Sequence, residues 1–365
     1  MTADLVRPAE RGWGADTFFS AAAQADNLGD AVIRRIALGW IPSDGRTVHL
    51  YVGDLPEPYV EVVADGRGDL RVYRSSRDFC VAWASSAARR RAGVVFAPGP
   101  RSAGRSVSET LTAFRALGMS GVTRLAGGPV VTVGGALVGR TSPALTAHRL
   151  SARMSHHHSL RDPSSRLLLG VGSLVPDVAF AGADPTSSPS GPPLLVISLR
   201  EDRGVDGANL AAMVAKAREQ GVEPVLVTQV RRDESFHEDL ATRLSLRHVG
   251  WGGRTHREQL HRLDTVYRDA AVVFSNRLHV CIFAARHGAV VVNAETRSGK
   301  VAATLGGVYG AAAVAPSGDG MPGVGSLARW EELRPGRAEA TRRAALDVMR
   351  ERVGVGVVLR RDEGR

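Results

Sequence analysis

Short apolar runs without polar alternation punctuate this chain, and most are followed by stretches whose apolar residues recur at helical spacing. Gly93–Ala97 is one such run, rich in β-branched residues and broken at Pro98-Gly99-Pro100, which predicts a buried strand ending in a turn. Pro129–Val133 reads the same way. Residues 1–20 read as a loose start, and Phe18–Ile41 as helical, with Val32, Ile33, Ile36 and Leu38 on its apolar side. Ser108 opens a further helix in which Leu111, Phe114 and Leu117 share one face, and Gly118 ends it.

In the second half the alternation is regular. Leu194–Leu199, Pro224–Thr228, Ala271–Phe274 and Ala289–Val292 read as strands. Between and after them, Asn209–Gln220, Glu258–Leu263 and Leu278–Arg286 read as helices. Strands that are apolar on both sides suit a parallel sheet covered by helices on each face. Arg337–Val353 has the pattern of a terminal amphipathic helix. Ala181–Pro193, rich in Pro, Ser, Gly and Asp, is the best linker.

A chain of 365 residues has room for about two domains. The expectation is an α/β protein: an N-terminal Rossmann-like lobe over residues 1–185, a C-terminal Rossmann-like lobe over 186–325, and a helix and tail over 326–365. Two such lobes turn their parallel sheets toward a central cleft, with ligands at the carboxyl ends of the strands.

Hydrophobic residues make up 44% of the chain and charged residues 23%, enough apolar material for two cores. Lys and Arg number 47 against 37 Asp and Glu, a formal charge of +10, and almost all of the basic excess is arginine. The guanidinium fork matches carboxylates and phosphates. A GC-rich genome that prefers arginine as its basic residue explains the larger share of the total, so only particular arginines carry functional weight. The chain shows no helix-turn-helix signature, RNP-type aromatic cluster or zinc-finger spacing, so no nucleic-acid partner is expected. Its two cysteines, Cys80 and Cys281, lie far apart in apolar surroundings, which fits a reducing cytoplasm better than a disulfide framework. Met1–Arg11 lacks the apolar segment of a secretory signal, and no run reaches the roughly 18 apolar residues of a membrane helix. Peripheral association with the inner face of the cell membrane stays open. The consecutive His156, His157 and His158 read as an exposed loop or helix and cannot all face one ion, so no metal site is expected there.

Four segments concentrate polar chemistry. Ser275-Asn276-Arg277-Leu278-His279 follows a strand and opens a helix, whose free N–H groups and positive dipole end favour an anion. Arg277 adds a fork of donors and His279 a group able to move a proton near neutral pH. A capped helix with a paired Arg and a packed His explains the same residues. Arg200, at the end of the strand ending Ile197-Ser198-Leu199, either points into the cleft or pairs with Glu201 or Asp202. Asp26-Asn27-Leu28-Gly29-Asp30 is either a helix start or a polar loop lining the cleft. In Leu160–Ser165, Asp162 and Ser165 make a good helix start, and Pro176-Asp177-Val178 follows.

Taken in order, these segments resemble the polysaccharide pyruvyl transferases. The resemblance rests on Asn27-Leu28-Gly29-Asp30, on Arg161-Asp162-Pro163-Ser164-Ser165 with Pro176–Phe180, on Arg200, on Ser275–His279 with Gly288, and on Lys300. It spans roughly residues 18–310. It departs from the family at Ala97-Pro98-Gly99-Pro100, where many members have a Gly-Gly turn, and at Gln24-Ala25-Asp26, where small residues are usual. Both departures fall in the half expected to hold the acceptor.

The resemblance implies a fold similar to the two-lobed GT-B glycosyltransferases. It implies phosphoenolpyruvate as donor and a glycan or lipid-linked sugar as acceptor. No metal or organic cofactor is required by that chemistry. Arg200, Arg277, Leu278 and Lys300 are then donor-binding residues, Asn27 lines the site, and His279 with Asp30 or Asp26 moves protons. A nucleotide-sugar glycosyltransferase of the same architecture and a non-catalytic glycan-binding protein are the rival expectations, because one fold hosts many reactions.

Overall fold

The computed structural model describes residues 16–316, apart from residues 44, 105, 140–141, 182–188, 190, 204–206, 295–298 and 310–313. The expected helix Arg337–Val353 and tail 326–365 lie outside the described residues, as does most of the Ala181–Pro193 segment.

Two parallel sheets organise the chain. The first contains β1 (Asp16–Ser20), β2 (Thr47–Tyr51), β3 (Leu70–Tyr73), β4 (Ala92–Phe96), β5 (Gly99–Ser102), β6 (Val130–Val138), β7 (His157–Leu160) and β8 (Ser173–Leu174). Its order is β3-β2-β1-β4-β6-β7-β8, with β5 paired to β6. The second contains β9 (Leu194–Ser198), β10 (Glu223–Val227), β11 (Arg247–Val249), β12 (Ala270–Ser275), β13 (Val290–Asn293) and β14 (Val314–Pro316), in the order β11-β10-β9-β12-β13-β14. In each sheet the chain winds outward one way from its first strand and then returns to the other side. That reversal leaves a crevice beside β1 and β4 in the first sheet, and beside β9 and β12 in the second.

The helices are α1 (Leu28–Gly39), α2 (Glu57–Ala64), α3 (Ser76–Ala88), α4 (Val107–Leu125), α5 (Pro143–Met154) and α6 (Pro163–Leu169) in the first half. The second half carries α7 (Gly207–Glu219), α8 (Glu234–Leu244), α9 (His256–Arg268), α10 (Leu278–Arg286) and α11 (Lys300–Tyr309). A short 3-10 turn, Val178–Ala181, sits between the halves. One apolar cluster runs from α1 and α2 through Val178, Ala179 and Phe180 to α9 and α10, so the halves share a core. α10 is buried on nearly every side, which is why it reads as apolar almost all round, and α1 buries most of its residues, Asp30 and Arg34 among them.

Three local expectations are corrected. Phe18–Ser20 belongs to β1 and the helix starts only at Leu28, after the polar Gln24–Asn27 turn. Phe18 and Phe19 lie between β2 and β4, where pairing on both sides outweighs local helical spacing. α4 does not end at Gly118 but continues to Leu125, because one exposed glycine costs only about 1 kcal/mol in a long helix. Its buried positions are Ala113, Met119, Ser120 and Thr123, while Leu111 and Phe114 face outward. The histidine run is no loop: His157 and His158 belong to β7.

Candidate active site

The crevice of the second sheet collects the Ser275–His279 segment. Ser275 ends β12, and its Oγ donates to the Ser198 carbonyl of β9 at 2.5 Å while accepting the Arg277 N–H at 2.9 Å. Asn276 Oδ1 accepts the Arg200 N–H at 2.8 Å, tying the loop after β9 to the loop after β12. Arg277 is the N-cap residue of α10, with extended backbone (φ −100°, ψ 110°), and no side chain caps the helix. The first-turn N–H groups and the positive end of the dipole therefore lie at the crevice.

The arginine side chains are partnered. The Arg277 guanidinium donates to Asp233, a residue 4% exposed that follows β10. Burial lifts the Asp233 carboxyl above its usual range against the pull of Arg277, Arg200 and Arg232. Burial also draws Arg277 below the ordinary guanidinium range, against Asp233. Both directions express the same physics: taking the pair out of water opposes its ionised form. Arg200 lies on Asp202, with Nε and Nη2 donating at 2.8 and 2.6 Å. That pair is open to solvent, the arginine 35% and the aspartate 61% exposed, so it holds only weakly.

His279 projects from the first turn of α10 against the first half of the chain. A Cβ placed on Gly29 would come within 2.3 Å of His279 Nδ1, so the absence of a side chain at Gly29 gives the imidazole its place. On its other side the ring stacks on Phe283, centroids 6.2 Å apart. His279 Nε2 is 3.8 Å from Asp177 Oδ1 and makes no hydrogen bond among the described residues. Asp177 in turn receives Arg161 Nη1 on Oδ2 at 2.6 Å and the Ala179 N–H on Oδ1 at 2.9 Å. Burial alone would raise the Asp177 carboxyl, but Arg161, His279 and that N–H hold it well below the usual carboxylate range. A fixed negative charge thus backs the imidazole. Arg161 and Asp177 were expected as neighbouring motif elements; the fold makes them a buried ion pair behind His279. Asp162 and Ser165 form the expected helix start, with Asp162 accepting the Ser165 N–H at 2.7 Å.

The first-half residues come to the same place by different means. Asn27 Oδ1 caps α1 through the Gly29 N–H at 3.0 Å, so its side chain serves the helix start. Asp30 is buried in the first turn, with its Oδ1 4.0 Å from Arg34 Nη1. Asp26 is held across the halves by Arg232, whose Nε and Nη2 each donate at 2.6 Å. Burial would raise the Asp26 carboxyl, yet Arg232 brings it below its ordinary value. Lys300 opens α11 by its backbone, and its side chain lies outside the described residues.

Asp233 and Asn276 did not stand out in the sequence. Asp233 lacks a motif, but it lies six residues past the end of a buried strand, where parallel sheets place ligand-facing side chains. Among the described residues no group of three or more His, Cys, Asp or Glu is set to hold a metal ion. No described helix is long and apolar enough to cross a membrane.

A family model of the polysaccharide pyruvyl transferases matches residues 27–294, from the N-cap of α1 to the end of β13. The chain belongs to the polysaccharide pyruvyl transferase family. Membership makes it a transferase of the glycan-modifying class, and the matched stretch contains Asn27, Asp30, Arg200, Arg277, Leu278 and His279. Lys300 lies just beyond it. No curated protein matches this pyruvyl transferase family member in sequence.

Solved structures share its architecture at low identity. Anabaena Alr3699/HepE, crystallised with UDP, is 13% identical with a TM-score of 0.53, over 93% of this chain and 98% of that one. The UDP-GlcNAc 2-epimerase of Neisseria meningitidis, bound to UDP-GlcNAc, is 12% identical with a TM-score of 0.50, over 93% of this chain and 96% of that one. At such identity the likeness establishes the fold: two α/β halves of GT-B-like form, as expected.

Proposed function

We propose that this protein transfers the enolpyruvyl unit of phosphoenolpyruvate to two hydroxyls of a sugar, in a cell-surface glycan or its lipid-linked precursor. The product is a pyruvate ketal and the by-product is phosphate. The observation that carries the reading is the convergence of Arg277, the uncapped start of α10 and His279 at the crevice of the second sheet, with Gly29 of the other half against the imidazole.

Phosphoenolpyruvate sets a phosphate and a carboxylate on one small frame, so it needs donors from more than one direction. The α10 N-terminus at Leu278 and Arg277 supply one set. Arg200 supplies another by leaving Asp202, an exchange with small cost for so exposed a pair. Asp233, whose carboxyl burial lifts above its usual range, is the acid that a dianion displaces from Arg277. Lys300 is positioned in sequence to add a further cation.

The chemistry balances as follows. A proton from His279 adds to the methylene carbon, which becomes the methyl group, and the adjacent carbon becomes electron-poor. An acceptor hydroxyl bonds to that carbon and loses its proton to a carboxylate, Asp30 or Asp26. The carbon–oxygen bond to phosphate breaks with its electron pair. A second hydroxyl bonds to the same carbon, closes the ketal and releases its proton. Of the two hydroxyl protons lost, one replaces the proton delivered to carbon and one leaves with phosphate. The buried negative charge of Asp177 holds the imidazole in place for delivery.

The test is thermal stabilisation by phosphoenolpyruvate, with phosphate, pyruvate and UDP as controls, followed by phosphate release in the presence of sugar acceptors. A shift specific to phosphoenolpyruvate is expected, lost in Arg277→Ala. A shift with UDP alone would turn the reading toward a nucleotide-sugar glycosyltransferase.

A further inference from the structure

A cavity of about 400 Å³ opens in the first half of the chain. It occupies the crevice of the first sheet: Ser20 ends β1 and Ala22 follows it, Phe96 ends β4, and Ala97, Pro98 and Gly99 lead from β4 into β5. The corresponding crevice in the second sheet holds the Ser275–His279 segment, so each half has a site at its own topological reversal. Arg34, Arg101 and Arg115 also line this cavity, with Glu109 as the acidic residue among the lining side chains.

Arg34 has the Asp30 carboxylate 4.0 Å from its Nη1, but the charges there do not cancel. Arg101 stacks over the Phe96 ring, 5.0 Å from its centroid, and has no carboxylate partner among the described residues. Burial and the like charge of Arg34 lower the Arg101 guanidinium to about 10. Arg34 donates to the Asp30 and Ala22 carbonyls at 3.0 and 3.1 Å, and its Nε is buried without a partner. Gly99 has φ +123°, a backbone conformation that residues with a side chain rarely adopt, and a Cβ there would be in ordinary contact with Arg34 Nη2 at 3.5 Å. Glu109 is engaged in the α4 capping box, accepting the Ser106 N–H at 3.0 Å. His148 is held on the Ser102 carbonyl at 3.1 Å, with its pKa lowered by burial and by Arg101, and an imidazole brings no negative charge. A half-buried arginine with no acid beside it, next to a second arginine, is an incomplete arrangement that an anion completes.

Position supports the same assignment. α1 carries Gly29 against His279 and Arg34 at this cavity, five residues later, about 7.5 Å along the helix axis. The turn Ala97-Pro98-Gly99-Pro100 forms part of the wall.

We propose that this cavity receives the acceptor and selects one bearing an anionic group, a carboxylate or a phosphate, through Arg101 and Arg34. The proposal rests on the transferase reading for the word acceptor, and its test separates the two.

The probes are methyl glucuronide, glucose 1-phosphate and uncharged methyl glucoside, titrated by calorimetry into the full chain and into Arg101→Met. At least one charged probe binds about tenfold or more tighter than the glucoside, and Arg101→Met removes that preference. A stronger response to the glucuronide names a uronic acid; a stronger response to the phosphate names a sugar phosphate or its lipid-linked form. The variant should melt no lower than the parent, because it removes a charge that lacks a partner. Stabilisation by phosphoenolpyruvate should be unchanged in it. Equal binding of all three probes, no binding by either charged probe, or an undiminished preference in Arg101→Met overturns the proposal. So does loss of the phosphoenolpyruvate response in Arg101→Met, which would put the donor in this cavity. An intact phosphoenolpyruvate response with no charged-sugar preference sinks this proposal alone and leaves the transferase reading standing.

Discussion

The two crevices of this molecule treat arginine in opposite ways. Beside β9 and β12 the arginines near His279 each have an acid: Arg277 with Asp233, Arg200 with Asp202, and Arg161 with Asp177. Beside β1 and β4, Arg101 has an aromatic ring in place of an acid and a second arginine for a neighbour. The difference teaches what burial demands of a cation. A paired crevice is stable when empty, and on the donor role proposed for it a dianion enters by exchange of partners. An unpaired crevice carries an unmet electrostatic demand, and the ligand that meets it must bring negative charge. The pairs are also unequal among themselves: Arg161–Asp177 is almost wholly buried, whereas Arg200–Asp202 is open to water.

The sharpest way to break the comparison is at the deepest pair. Arg161→Met leaves Asp177 buried and alone, and a loss of about 3–5 kcal/mol in denaturant unfolding is expected at neutral pH. In the parent, the depressed Asp177 carboxyl gives stability that is whole above about pH 4 and fades as pH falls toward its folded-state value. In the variant an unpaired buried carboxyl is easier to protonate, so the deficit should shrink on acidification. A deficit that is constant from pH 7 to pH 3 contradicts this account.

Next is Arg277→Ala, for which turnover should fall by about 10²–10³. Because Asp233 loses its partner, stability falls as well. The double change Arg277→Ala with Asp233→Asn should restore the melting temperature and leave turnover lost. Recovery of both together would make Arg277 a structural residue. Gly29→Ala puts a methyl where His279 stands, so the imidazole must move. Turnover should drop about 10²-fold at a stability cost of about 1–3 kcal/mol. Near-normal kcat with a raised KM would show that His279 contacts substrate without moving a proton. In the other crevice, Arg101→Met is expected to cost about tenfold in charged-sugar affinity with no stability loss. The smallest effect belongs to Asp202→Asn: within about 1 kcal/mol in stability, with tighter phosphoenolpyruvate binding because Arg200 no longer has an acid to leave.

Much of the fold was legible because its strands are apolar on both sides. The edges of β9, β10, β12 and β13 lie within a residue or two of the runs that announce them. β1 was misread because Thr17-Phe18-Phe19 is followed by small residues whose spacing also fits a helix. α4 was misread because an outward-facing Leu111 and Phe114 mimic a core face. Of the site, Ser275–His279 announced itself through a strand, a polar stop and a helix start in succession. Asp233 carries no such signal, since nothing in Arg231-Arg232-Asp233 distinguishes it from any charged surface turn.

The sequence by itself determined the parallel α/β class, the positions of the main strands and the family, because these depend on local periodicity and on short motifs in order. Only the tertiary structure decided which charges meet. Arg161 and Asp177 are 16 residues apart, Asp233 and Arg277 are 44 apart, and each pair forms through the packing of separate elements. The lack of an acid beside Arg101 is likewise a fact of three dimensions: an ion pair depends on distance and burial, and neither can be read along the chain.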